Sequence, residues 1–271
     1  GPPAIPLLLD LLRHQEVSFR RFAADAFIDL PPDTERIQPA LRRALRDEDS
    51  MVAGDAARAL GALRDSASPS VPALVKALSH DEPHVRIYAA EALASIGPKA
   101  VAATNDLAKA LSDPIPGVRW AAGEALSSIG PAAHSAVPQL IKALKDQFLY
   151  VRICAAGALG SIGPQAHTAR EALRAAENDP ILRHEVEWAL NRTAGIESPM
   201  SFGFPTGPGV PPTLHPPMIA AQTGNPPVDW DPTTGRNIVW SIELGNEVYG
   251  SPVVAGDVVY VGADNTRQLN P

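Results

Sequence analysis

The stretches "VRIYAAEALASIGP" (85–98), "VRWAAGEALSSIGP" (118–131) and "VRICAAGALGSIGP" (151–164) are one phrase written three times. Val85, Val118 and Val151 stand 33 residues apart, as do Arg86, Arg119 and Arg152. Gly97, Gly130 and Gly163 keep the step, each followed by a proline: Pro98, Pro131 or Pro164. The lattice runs backwards through Val52 to Phe19, and Pro6, Pro39, Pro72 and Pro138 also fall on it. A fixed period in the range of about 20–50 residues marks a stacked solenoid. One unit cannot cover its own apolar side, so its neighbours do.

Each unit reads as two helices. The first is expected to start at the periodic proline, whose missing N–H has no partner there anyway. In "VPALVKAL", Leu74, Ala77 and Leu78 share one helical face. A polar turn follows, marked by Asp47, Asp81, Asp113, Asp146 and Asp179. The second helix carries Val85, Ala89, Leu93 and Ile96 on one stripe. Gly97 then predicts a left-handed cap, and Pro98 predicts a stop. Six pairs are expected, beginning near residues 4, 36, 69, 101, 135 and 168. The sixth deviates, with Leu182 and Arg183 two residues early, as a terminal cap does.

With aromatics only 5% of the chain and alanine abundant, the core must be built from small side chains at close approach. The net charge of −7 argues against a nucleic-acid partner, which needs a basic footprint. Cys154 is the single cysteine, so no disulfide framework or cysteine metal cage is expected. No apolar run reaches the length of about 18 residues needed for a membrane span. The chain does not begin with Met, and a fragment of a longer protein is expected.

The pattern "D-x4-VR-x2-AA-x-AL-x2-IG" resembles HEAT repeats in the short form also called phycobilisome-lyase-like, over roughly residues 4–195. The ankyrin signature "TPLHxA", which also goes with a period of 33, is absent. The resemblance implies a mainly α, right-handed solenoid of about six helix pairs whose second helices line the concave surface. It does not fix a function.

Residues 199–227 hold nine prolines with glycine and threonine, which reads as an extended linker covering 196–227. Beyond it, "DPTTGRNIVW" (231–240) and "GSPVVAGDVVYVG" (250–262) carry β-branched residues around Gly and Asp turns. These residues resemble repeats of pyrroloquinoline-quinone-type propellers, through Asp231, Thr234, Gly235 and Trp240, then Gly250, Pro252, Val253, Val254, Gly256, Val259, Tyr260 and Gly262. The resemblance implies a partial blade at 228–271 and, by analogy, an exported protein. A propeller needs several four-stranded blades.

The sharpest lead to chemistry is "RHE" at Arg183, His184 and Glu185. HEAT-like metal hydroxylases bind two irons through several His-Glu doublets at this point in the repeat. Here the equivalent pairs are Arg21-Phe22, Gly54-Asp55, Ile87-Tyr88, Trp120-Ala121 and Ile153-Cys154, none of which supplies His plus carboxylate. One doublet cannot hold a di-iron centre, and no metal or cofactor is expected. A bilin-lyase activity has no residue behind it beyond the repeat itself. His134 and His167, one period apart, read as surface residues, as do His14 and His80. Cys154, with no periodic acid or His partner, reads as a structural thiol.

Two rows remain. Arg86, Arg119 and Arg152, with Arg183 after Leu182, stand near turn aspartates such as Asp113 and Asp146. Their guanidinium donors suit turn carbonyls and the Asp of an adjacent repeat, a ladder that fixes stacking register. Ile87, Trp120 and Ile153 share one lattice position, with Tyr88 beside the first. They lie on the second-helix face that also carries Glu91, Glu124, Ser95, Ser128 and Ser161. That row either packs between repeats or forms an apolar stripe for a partner protein or peptide. The leading expectation is a non-enzymatic interaction scaffold; the competing one is the first part of a propeller oxidoreductase.

Overall fold

The computed structural model describes residues 4–28, 34–179 and 181–196, with short backbone segments between 247 and 264. The chain divides into two units, Gly1–Thr213 and Leu214–Pro271.

The first unit contains six helical pairs among its described residues: α1 (Ala4–Leu11) with α2 (Val17–Ala26), α3 (Thr34–Ala44) with α4 (Ser50–Ala62), α5 (Val71–Ala77) with α6 (Pro83–Ile96), α7 (Thr104–Ala110) with α8 (Pro116–Ile129), α9 (Val137–Ala143) with α10 (Leu149–Ile162), and α11 (Arg170–Ala176) with α12 (Arg183–Thr193). Each second helix packs on the next second helix along the series α2, α4, α6, α8, α10 and α12. The first helices pack mainly on their own second helices. The core is a continuous seam of alanine, valine and leucine. Val85, Ala89, Leu93 and Ile96 are all buried, and so are their counterparts in the neighbouring repeats. Burying such stripes is the main favourable term in the stack.

Alanine and glycine matter here because interior packing is dense and leaves no slack. A Cβ on Gly61 would stand 3.1 Å from the backbone of Ala92, so α4 and α6 approach as closely as backbones allow.

Two local expectations are corrected. Gly97, Gly130 and Gly163 do have positive φ, at 67°, 72° and 72°. Their ψ, however, lies near −140°, at −138°, −140° and −140°, a region open to glycine and outside the left-handed helix. The following proline does not end helical structure. It sits in the first turn of a seven-residue 3-10 segment, Gly97–Ala103, Gly130–Ala136 or Gly163–Ala169, that leads into the next first helix. The periodic proline of the first helix is in place at Pro72 and Pro138. Pro39 instead lies inside α3, which begins where later repeats have their 3-10 segment.

In the second unit, β1 (Glu247–Val248) pairs antiparallel with β4 (Ala263–Asp264). β2 (Val253–Ala255) pairs antiparallel with β3 (Val258–Tyr260), with Val253 opposite Tyr260. The expected linker at 199–227 and the stretch 231–240 lie outside the described residues.

Candidate interaction surface

The Asp/Arg lattice is the most regular polar feature. In each of the six turns a residue on one lattice position accepts a hydrogen bond from the backbone N–H two residues on. The acceptors are His14, Asp47, His80, Asp113, Asp146 and Asp179, at 2.8–3.1 Å. This is the side-chain-to-backbone turn that Asx residues favour. The expected marker Asp81 is therefore displaced: the lattice residue is His80, whose Nδ1 accepts from Glu82 N–H at 3.0 Å. His14 and His80, expected to be plain surface residues, hold turns.

Arginines of the preceding second helix join four of these turns. Arg86 donates to both carboxylate oxygens of Asp113 at 2.8 and 3.0 Å, and Arg119 to both of Asp146 at 2.7 and 2.9 Å. Arg152 reaches Asp179 at 3.0 Å, and Arg20 grips Asp47 at 2.9 Å twice. Each guanidinium also donates to backbone carbonyls five and six residues before it, as Arg119 does to Pro114 and Asp113. One group thus satisfies its own turn and ties the next repeat. Arg183, which sequence placed in this row, is exposed on α12; the fourth rung is Arg20. Burial works against the charge on Asp146. The hydrogen bonds from Arg119 and Phe148 N–H, with the charges of Arg119 and Arg152, outweigh it and hold its carboxyl below the usual range.

The Ile87, Tyr88, Trp120 and Ile153 side chains are half-buried, packed against the core without being enclosed by it. Tyr88 leans back onto the preceding repeat, with the Arg58 guanidinium 5.5 Å from its ring centroid. The row thus has an apolar flank and an open flank.

Alongside it stand three carboxylates with raised pKa. Burial lifts Glu91 to about 7, against the pull of Arg58. Burial and the nearby charge of Glu124 lift Glu185 to about 7. Glu124 is raised by burial, an effect partly offset by a hydrogen bond from Cys154. No Lys or Arg forms an ion pair with these three among the described residues. Cys154 does have an acid partner, contrary to expectation: its Sγ donates to Glu124 Oε1 at 3.0 Å. Burial first, then the Glu124 charge, pushes its thiol well above the usual range, which fits a structural role and no nucleophile.

Sequence reasoning also passed over one row. Ile115 and Phe148 cap α8 and α10, and Ile181 stands one residue before the cap of α12, all three exposed, at positions where earlier repeats carry Glu16, Asp49 and Glu82. The 33-residue lattice displays this row, although its residue type changes from acid to apolar along the stack. Among the described residues no three His, Cys, Asp or Glu side chains gather in a way that could hold a metal. No helix among them is long and apolar enough to cross a membrane.

The family model for HEAT repeats matches residues 5–71, 71–134 and 106–191, more than half of the chain. The chain belongs to the HEAT-repeat family. Solved structures similar to this HEAT-repeat protein include an engineered protein 25% identical to it, covering 71% of this chain and 97% of that one, with a TM-score of 0.61. A second engineered protein is 26% identical, over 70% of this chain and 58% of that one, at 0.58. A designed armadillo repeat protein in complex with the peptide (KR)4 is 18% identical, over 70% of this chain and 99% of that one, at 0.58; it shares the fold. No curated protein matches the chain. The resemblance of residues 228–271 to quinone-type propellers finds no support in these comparisons.

Proposed function

We propose that the protein is a binding scaffold whose stacked second helices receive an extended, positively charged segment of another protein. The observation that carries this reading is the face of α6, α8, α10 and α12. There Glu91, Glu124 and Glu185 are desolvated and form no ion pair among the described residues, beside the half-buried Ile87, Tyr88, Trp120 and Ile153. Partly buried charge is costly when unpaired and favourable when a partner supplies the counter-charge. The second helices pack on one another in an unbroken series, which supports the choice of this layer as a continuous binding face. A designed armadillo protein of the same fold is known in complex with (KR)4, a peptide of the charge inferred here. Trp120 is the natural anchor, since aromatic residues that a partner covers fully carry much interface energy.

The test is a calorimetric titration of the full chain with a (Lys-Arg)4 peptide. A lysine or arginine on this face favours the ionised acids, so affinity is predicted to rise at least tenfold from pH 5.5 to pH 8. Trp120→Ala is predicted to weaken it. Equal affinity at both pH values, or indifference to Trp120, would remove this face from consideration. In the same reading residues 228–271 form part of a propeller-like blade, for which the support is the pairing of β2 with β3 within "GSPVVAGDVVYVG".

A further inference from the structure

We propose that the outer face of α1 and α2 docks a further helical pair of the same repeat type, whose second helix turns a glycine toward Phe22. The lattice supplies the argument. Val52, Val85, Val118 and Val151 are 0%, 0%, 0% and 2% exposed, yet Phe19 at the same position is 43% exposed. Asp55, Ala121 and Cys154 are buried at 9%, 0% and 4% and Tyr88 is half-buried, yet Phe22 at their position is 62% exposed. In the interior repeats the preceding repeat covers these positions.

Leu7 extends the face onto the first helix. The trailing side of a first helix is marked by Gln38 and Arg42, which donate to Ser66 and Pro69 carbonyls of the following repeat at 2.8 and 3.2 Å. Their counterparts in α1 are Ile5 and Leu9. At about 100° per residue, Leu7 lies nearly opposite both. It points away from α3 and is 60% exposed.

The interior joints also say what shape covers such a face. A bulky side chain on the leading side of a second helix is received by a glycine of the repeat before it. Tyr88 lies over Gly54, where an added Cβ would stand 3.1 Å from its ring. Trp188 likewise fills the space above Gly160. Phe22 is a bulky side chain of this kind without its glycine. The far end of this chain's own stack does not offer one. The trailing side of α12 carries Arg183 and Glu187, both exposed, so a head-to-tail second copy is a poor match. A helical pair with a small, apolar trailing side fits.

The experiment joins a copy of residues 34–66 directly ahead of residue 1 of the full chain, which keeps the 33-residue lattice and sets the copied Gly54 opposite Phe22. Thermal unfolding of the fused and unfused proteins is compared, each with and without Phe22→Ala. The fused protein is expected to melt as one transition several degrees higher. Phe22→Ala is expected to remove much of that gain while moving the unfused protein by less than about a degree, as exposed substitutions do. A copy that melts separately without raising the main transition overturns the proposal. So does a Phe22→Ala effect equal in both backgrounds. Sedimentation of the unfused chain supplies the other arm. A concentration-dependent dimer abolished by Phe22→Asp would assign the face to a second copy and likewise overturn it.

Discussion

Four joints of the stack carry an arginine–aspartate rung, and the joint between the second and third repeats does not. Ala53 stands where Arg20, Arg86, Arg119 and Arg152 stand, and His80 stands where their aspartates do. The two members of the rung are lost together. This separates two tasks of the turn aspartate. Holding its own turn needs only an acceptor, and His80 does that. Receiving the guanidinium needs a carboxylate, and a lone one would be partly buried and unpaired. His14 obeys the same logic: Arg20 donates to its carbonyl at 3.1 Å, and among the described residues no arginine hydrogen-bonds its side chain.

The second joint is tied differently. Gln38 donates to Ser66 O at 2.8 Å and accepts from Ser70 Oγ at 3.1 Å, and His84 Nε2 lies 3.0 Å from Ser50 O. Arg58 covers Tyr88, and Gly61 lets α6 press on α4. The recess beside the turn is larger there. It is about 320 Å³ around Ala73, Lys76 and His80, against about 150 Å³ at the equivalent place around Ala40, Arg43 and Asp47. The fold therefore fixes the spacing of repeats by backbone approach and uses the rung to fix register where it is present.

Breaking a rung is predicted to have the largest effect. Arg119→Ala leaves Asp146 without its counter-charge and two turn carbonyls without their donor, and is predicted to cost about 3 kcal/mol in denaturant unfolding. Ala53→Gln, at the joint without a rung, serves as the contrast. Next, Glu91→Gln separates the binding face from the ladder. The folded pKa of Glu91 is raised to about 7. Its protonated form therefore supports stability fully below the unfolded value of about 4.3, and that support is lost as pH rises through 7. Glu91→Gln is thus predicted to stabilise by on the order of 2 kcal/mol at pH 8 and by almost nothing at pH 4. Asp146 runs the other way: its lowered pKa gives stability present above about 3.9 and lost as pH falls below it. Acid unfolding should thus begin with the rungs, and Arg119→Ala should flatten that limb of the profile. Smallest of all is the rebuilt rung. Ala53→Arg with His80→Asp is predicted to show a favourable coupling of about 1 kcal/mol in a double-mutant cycle, each single change being neutral or harmful. An absent coupling would mean that the second joint has no room for the tie.

The period made most of this legible. Identical residues at a fixed step announced six pairs, the buried valine-alanine-leucine stripe and the arginines that reach the next turn. What the period hid were positions where the residue changes but the geometry persists. His80 for Asp, Ala53 for Arg, and Ile115 for an acid all look like breaks in the pattern, and each is a substitution within one site. Glycine geometry was half-legible: a positive φ at Gly97 follows from Gly-Pro after a helix, but the 3-10 segment beyond it does not. Cys154 reaches Glu124 of the preceding repeat, a contact 30 residues apart that no motif announces. The strand-like text near residue 253 finds no support in the comparisons, and the prolines before it lie outside the described residues.

The account rests on one face being the receiving one. Amide hydrogen exchange of the full chain, with and without the (Lys-Arg)4 peptide, reads this helix by helix. Slower exchange confined to α6, α8, α10 and α12, with α5, α7, α9 and α11 unchanged, is the predicted result. Protection centred on α5, α7 and α9, or spread evenly over both layers, would contradict it.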